Sequence, residues 1–259
     1  MKKTIFFAVI FFIATLVQGQ TSLQKTSEQF RNGKSVWDLL SDDEKIGEFW
    51  PINGLNLVTK ETDPDIFSHP DITAIQASLR GIATAPDGMT AGSLGSYRME
   101  GKSLSHGRPC GDGFVYQYGI VCVSPNGYSI QFTHANEVKN FDSLYAHYQQ
   151  IGATLFFLPS IFRNGNFLSS EKMIDKVLVR RTTYDGEQIG VILFDQPTTC
   201  NKAREIILGL DRPGRSQTTH IYVLDGGPAW GQACKETNGT VTVLGTRDPR
   251  VVTNYLVFY

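Results

Sequence analysis

The sequence predicts an α+β fold, a mixed β-sheet with packed helices that includes a C-terminal β-α-β unit. Three observations lead there. Residues 114–123 and 128–133 are β-type runs around Ser124-Pro125-Asn126-Gly127, and Asn-Gly readily supplies the positive φ of a hairpin turn. Residues 140–151 place Phe141, Leu144, Tyr145, Tyr148 and Ile151 on one helical face, with Gly152 as the stop. Residues 189–195, 199–210 and 219–225 then read as strand, helix and strand. A crossover of that length predicts two parallel strands with a right-handed connection.

The remaining elements follow in chain order. Residues 1–19 read as a leader: Lys2 and Lys3 precede an apolar run from Ile5 to Val17, and Val17-Gln18-Gly19 supplies small residues suited to cleavage before Gln20. Residues 20–34 are polar and read as loose chain. Residues 35–49 predict a short helix, with Trp37, Leu40, Glu44 and Ile46 in period and Ser35 as the cap. Pro51, Pro64 and Pro70 mark residues 51–70 as loop, while 72–79 fits strand or helix equally. Six glycines between Gly81 and Gly107 predict turns and short strands up to residue 113. Residues 154–162 and 176–183 read as strands, Asp185-Gly186 as a turn, and 251–258 as the last strand.

Bulk properties narrow the function class. The leader has a bacterial style, and its apolar run is short against the roughly 20 residues of a membrane-spanning helix. An exported chain with no membrane span after cleavage is expected, periplasmic or extracellular. The chain has 259 residues, so 240 remain after a cut at residue 19, enough for a substantial core. The 24 basic residues lose Lys2 and Lys3 with the leader, leaving 22 against 25 acidic residues and a net charge of −3. No basic excess points to a nucleic-acid partner. Cys110, Cys122, Cys200 and Cys234 make an even count, which in an oxidising compartment suggests two disulfides. Three pairings are possible; Cys110 with Cys122 closes a local loop, and Cys200 with Cys234 ties a helix start to the chain after Asp225. The spacings match no compact metal site, and no metal or cofactor is expected.

The chemistry centres on Ile221-Tyr222-Val223-Leu224-Asp225-Gly226-Gly227, where an apolar strand ends on a carboxylate followed by two glycines. Glycine lets main-chain N–H groups approach a ligand closely, and Trp230 offers an aromatic face suited to a sugar ring. At the carboxyl end of a parallel strand, Asp225 would sit where open α/β sheets bind ligands. No nucleophile elbow, phosphate loop, His-Glu-x-x-His or dinucleotide fingerprint is present.

Leu224-Asp225-Gly226-Gly227, followed by Arg247-Asp248-Pro249-Arg250-Val251-Val252-Thr253-Asn254, resembles the closing signature of the phosphodiester glycosidase family. Two upstream segments also resemble it: Phe157-Leu158-Pro159-Ser160-Ile161-Phe162-Arg163-Asn164-Gly165, and Arg181-Thr182 ahead of Asp185-Gly186. The resemblance covers residues 72–259, which would form the glycosidase-like domain, with 20–71 as an N-terminal extension. It implies a hydrolase that cleaves a sugar-1-phosphodiester or related glycan linkage. Asp225 would be the catalytic carboxylate. Arg181, Arg247 and Arg250 would hold the phosphate, Gly226 and Gly227 would supply main-chain donors, and Asn254 would be a hydrogen-bonding neighbour. Trp230 completes the substrate contacts. Glu100, Asp185 and Asp248 are the candidates for a second carboxylate, and His134 and His220 are the histidines nearest these segments. The third glycine and the serine of the family pattern are Pro228 and Ala229 here, and Arg181-Thr182 lacks the usual Ala-x-Gly. These departures imply a divergent member, with a catalytically inactive glycan-binding or envelope-interaction protein as the alternative.

Overall fold

The computed structural model describes residues 20–52, 56–59, 73–76, 96–99, 102–106, 118–123, 130–134, 143, 146, 147, 150, 154–167, 169–224, 233–245 and 254–258. The N-terminal strands are β1 (Thr21–Gln29), β2 (Ser35–Ser41), β3 (Glu44–Pro51), β4 (Asn56–Thr59) and β5 (Thr73–Gln76). The middle of the chain gives β6 (Ser96–Met99), β7 (Lys102–His106), β8 (Tyr118–Val123), β9 (Ile130–His134), β10 (Thr154–Arg163) and β11 (Asn166–Phe167). The last part gives β12 (Met173–Thr183), β13 (Gly186–Thr199), helix α1 (Cys200–Leu208), β14 (Ser216–Val223), β15 (Ala233–Thr237), β16 (Thr240–Leu244) and β17 (Asn254–Phe258).

Two sheets carry these strands. The large one has 12 strands in the order β1-β2-β3-β13-β12-β14-β10-β6-β7, with β8, β9 and β11 attached around β10. The small one has the order β16-β15-β5-β17-β4. Side chains alternate between the faces of the large sheet. Val177, Val179, Ile192 and Ile221 pack on one side with Ala203 and Ile207 of α1. Leu178, Val191, Tyr222 and Trp50 pack on the other with Ala233 of β15 and Leu256 of β17. The core therefore has two layers, one under the helix and one between the sheets.

The β-α-β expectation is overturned. β13 and β14 both pair antiparallel with β12, which lies between them. They run in the same direction but share no ladder, and every ladder among the described strands is antiparallel. The fold is mostly antiparallel β-sheet, not a helix-packed α+β fold. The reason is that β12 and β13 form a tight hairpin through Tyr184-Asp185, with Gly186 at φ 115°. That hairpin fills the place beside β13 that a parallel partner would take. The argument that Asp225 sits at a parallel-sheet ligand edge loses its basis.

Two further expectations change near the N-terminus. Residues 35–49 form β2 and β3 rather than a helix, joined at Asp42 (φ 51°) and Asp43 (φ 66°). Two positive φ values in succession make a hairpin turn whose twist matches the strands. Residues 20–34 contain β1, an edge strand that buries little beyond Thr21 and so carries no apolar alternation to betray it. Elsewhere the expectations hold. β8 and β9 form the hairpin around Asn126-Gly127, and β10, β12 and β17 fall within two or three residues of their expected ends. Helix α1 starts at Thr199, whose side chain accepts the Lys202 N–H, and buries Ala203 and Ile207. Ser143, Ala146, His147 and Gln150 are helical and exposed, as the polar side of the 140–151 helix requires.

Candidate functional site

β14 is an interior strand, flanked by β12 and β10. It delivers the chain to Leu224, which is fully buried and donates its N–H to Lys176 O at 3.2 Å. Asp225 follows in sequence. Asp225, Gly226, Gly227, Trp230, Arg247, Arg250 and Cys110 lie outside the described residues, as do Glu100 and Asp248. Asn254 opens β17, opposite Thr59 of β4.

The register continues from Val177↔Val223 to set Lys176 beside Leu224. Lys176 has a relative exposure of 0% and Asp175 of 2%. The Lys176 ammonium lies 3.3 Å from Asp175 Oδ2 and 3.4 Å from Oδ1. Consecutive residues of a regular strand point to opposite faces and do not meet. Here the β12–β13 register shifts between Ile174 and Lys176, and that bulge lets the two side chains pair. The signal in the sequence was a charged pair abutting the apolar run Val177-Leu178-Val179. It was passed over because the strand was read as starting at Lys176.

Across the same row, Leu193 faces Lys176, Glu48 faces Leu193, and Asp38 faces Glu48. Glu48 accepts from Trp50 Nε1 at 2.8 Å and from Lys45 at 3.2 Å. Buried Lys235 of the small sheet reaches Glu48 at 3.0 Å and Glu28 at 2.9 Å. Burial alone would push the Glu48 carboxyl up; the Trp50 indole N–H, Lys235 and Lys45 outweigh it and hold it below its ordinary value. Asp195 is pushed up by burial, with Glu48 and Asp38 adding and Lys45 and Lys235 opposing. This network ties the two sheets together about two strand spacings, roughly 10 Å, from Lys176.

Arg181 is elsewhere. It stands opposite Thr218, six residues from Leu224 along β14, or about 20 Å. Its guanidinium donates to Leu210 O at 3.0 Å and Ser216 Oγ at 3.3 Å, and pairs with Asp211 at 3.5 Å. Burial pushes it below the ordinary arginine value, and Asp211 pulls it back. Asp211 in turn accepts from Thr218 N and Oγ1, so Arg181 closes the connection between α1 and β14. The expected anion-holding role at Asp225 is not met by its position. Asp185 sits in the β12–β13 turn, at the same far end. His220 is buried, its Nδ1 3.0 Å from Thr219 Oγ1 and its ring stacked on Tyr222. His134 ends β9, opposite Gly119.

The Cys200–Cys234 pairing is excluded. Cys200 is a buried free thiol on the helix side of the large sheet, and Cys234 belongs to the small sheet on the other side. A disulfide needs Cα atoms within about 7 Å, and a whole sheet intervenes. Cys122 lies in β8 between Leu155 and Gln131. Among the described residues no group of three or more His, Cys, Asp or Glu is placed to hold a metal ion, and no helix is long and apolar enough to cross a membrane.

No family model matches the sequence, and no curated protein matches it. Among solved structures the chain is similar to the zebrafish N-acetylglucosamine-1-phosphodiester alpha-N-acetylglucosaminidase catalytic domain auto-inhibited by pro-peptide. The TM-score is 0.47 and the sequence identity 10%, with 95% of this chain and 85% of that chain covered.

Proposed function

We propose that this chain is an exported hydrolase of phosphodiester-glycosidase type, acting where the chain leaves β14. One observation carries the reading. Leu224, which leads into the Asp225-Gly226-Gly227 motif, lies beside a buried Asp175–Lys176 pair in an otherwise apolar sheet interior. A buried ion pair is costly to keep, and apolar residues of similar size usually serve stability as well or better. A charged pair next to a candidate catalytic motif therefore argues for function.

The chemistry follows from residue types. Asp225 supplies the carboxylate that glycoside cleavage uses at the anomeric carbon. The C1–O bond breaks, the phosphate departs as a monoester, and water supplies the new hydroxyl on C1. Lys176 takes over the charge-neutralising role first expected of Arg181, with Arg247 and Arg250 as further phosphate holders. Gly226 and Gly227 offer main-chain donors, Trp230 a face for the sugar, and Asn254 a hydrogen bond. Asp225→Asn is expected to abolish turnover of a chromogenic sugar-1-phosphodiester while the far-ultraviolet spectrum stays unchanged. Undiminished turnover in that variant would sink the assignment. Pro228 and Ala229 favour a second reading, a glycan-binding protein without catalysis, which predicts binding in a glycan screen and no turnover by the wild type.

A further inference from the structure

We infer that Asp175 is a positioning residue for the proposed site: through the β12 bulge it holds the Lys176 ammonium charged and directed along the row that ends at Leu224. The inference rests on the proposed function. A lysine with 0% exposure must keep its charge without water, and the carboxylate 3.3 Å away stabilises that charged form. The pairing exists only because the ladder slips at this point. In an unbulged strand the Asp175 carboxylate would project to the helix side, among Val177, Ile174 and Ile207. The slip thus turns two chain neighbours into a side-chain pair beside the last residue before Asp225. Bulges of this kind commonly re-aim a side chain next to an active site. Both charges lie in a strand whose next residues, Val177, Leu178 and Val179, are all fully buried. Stability alone would be served by a regular ladder and an apolar pair. Asp175 acts on substrate through Lys176 and does not touch it.

The test is a double-mutant cycle on the full exported chain with Asp175→Asn, Lys176→Met and the pair combined. Turnover of a chromogenic sugar-1-phosphodiester and binding of inorganic phosphate are both read, and thermal unfolding confirms that each variant is folded. Lys176→Met is expected to lower kcat/KM at least 100-fold and Asp175→Asn at least 10-fold. The double variant should fall no further than Lys176→Met alone, and Asp175→Glu should recover part of the loss. A merely structural Asp175 predicts instead that its loss adds to that of Lys176. Additive losses, or an Asp175→Asn variant as active as wild type while Lys176→Met is impaired, overturn the inference and leave the proposed function standing. A wild type that neither turns over the probe nor binds phosphate overturns both. If a variant unfolds, phosphate binding by Asp175→Glu decides: affinity within threefold of wild type supports the positioning role, and loss equal to that of Lys176→Met refutes it.

Discussion

Replacing Arg181 with methionine separates a structural arginine from a substrate-binding one. The side chain is almost fully buried and makes two hydrogen bonds, to Leu210 O and Ser216 Oγ, besides the ion pair with Asp211. Hydrogen bonds to charged groups contribute roughly 1.5–3 kcal/mol each. The partners left behind are not stranded, because Ser216 Oγ still bonds Leu210 O and Asp211 still accepts from Thr218 N and Oγ1. Methionine also keeps much of the apolar stem. The loss therefore belongs at the low end of the sum, about 3 kcal/mol. For a domain of this size each kcal/mol moves the melting temperature by about 2–4 °C, so a fall of about 6–12 °C is expected. Thermal unfolding followed by circular dichroism measures it, with phosphate binding as the parallel readout. The reasoning is refuted if the melting temperature holds while phosphate affinity drops tenfold, since that would put Arg181 in the site after all.

Other consequences can be checked alongside. Gly47→Ala builds a Cβ only 2.2 Å from Leu193 O, a backbone atom of the adjoining strand, so the β3–β13 ladder must part. Overpacking of this kind costs about 1–3 kcal/mol, read as a lower urea midpoint. Glu48 is held below its ordinary value in the folded state. Its contribution is thus fully present above about pH 4.3, the unfolded value, and is lost as pH falls through the lower folded value. Glu48→Gln should flatten the acid limb of stability against pH; an unchanged limb would remove it from the inter-sheet network. Cys200 is buried and its thiol is pushed up by that burial. Iodoacetamide should leave it intact in the native protein and modify it once the protein is unfolded; rapid native labelling would contradict its placement under α1.

Much of the secondary structure was legible, and the failures have physical causes. The Asn126-Gly127 hairpin and helix α1 carry strong local signals, a turn pair in one case and a capping Thr199 with buried Ala203 and Ile207 in the other. β2 and β3 misled because Trp37 and Leu40 fall at helical spacing by accident, while the deciding feature, two aspartates at positive φ, is a conformation that sequence pattern suggests only weakly. The strand order was not legible at all. Whether β13 pairs with β14 or with β12 depends on where a third strand goes, and periodicity within 189–225 says nothing about it. The same limit governed the site. Arg181 was chosen by its place in a motif, yet five residues along a strand separate it from Lys176, and only the register assigns each to its end of the sheet. The disulfide expectation failed for a similar reason, since a count of cysteines cannot tell that a sheet divides Cys200 from Cys234.

The most direct measurement is hydrolysis of a sugar-1-phosphodiester in water enriched in oxygen-18, with both products analysed by mass spectrometry. Glycosidase-type cleavage at the end of β14 predicts the label on the anomeric hydroxyl of the sugar and none on the phosphate. Label on the phosphate, or no turnover by the wild-type chain, would contradict the account.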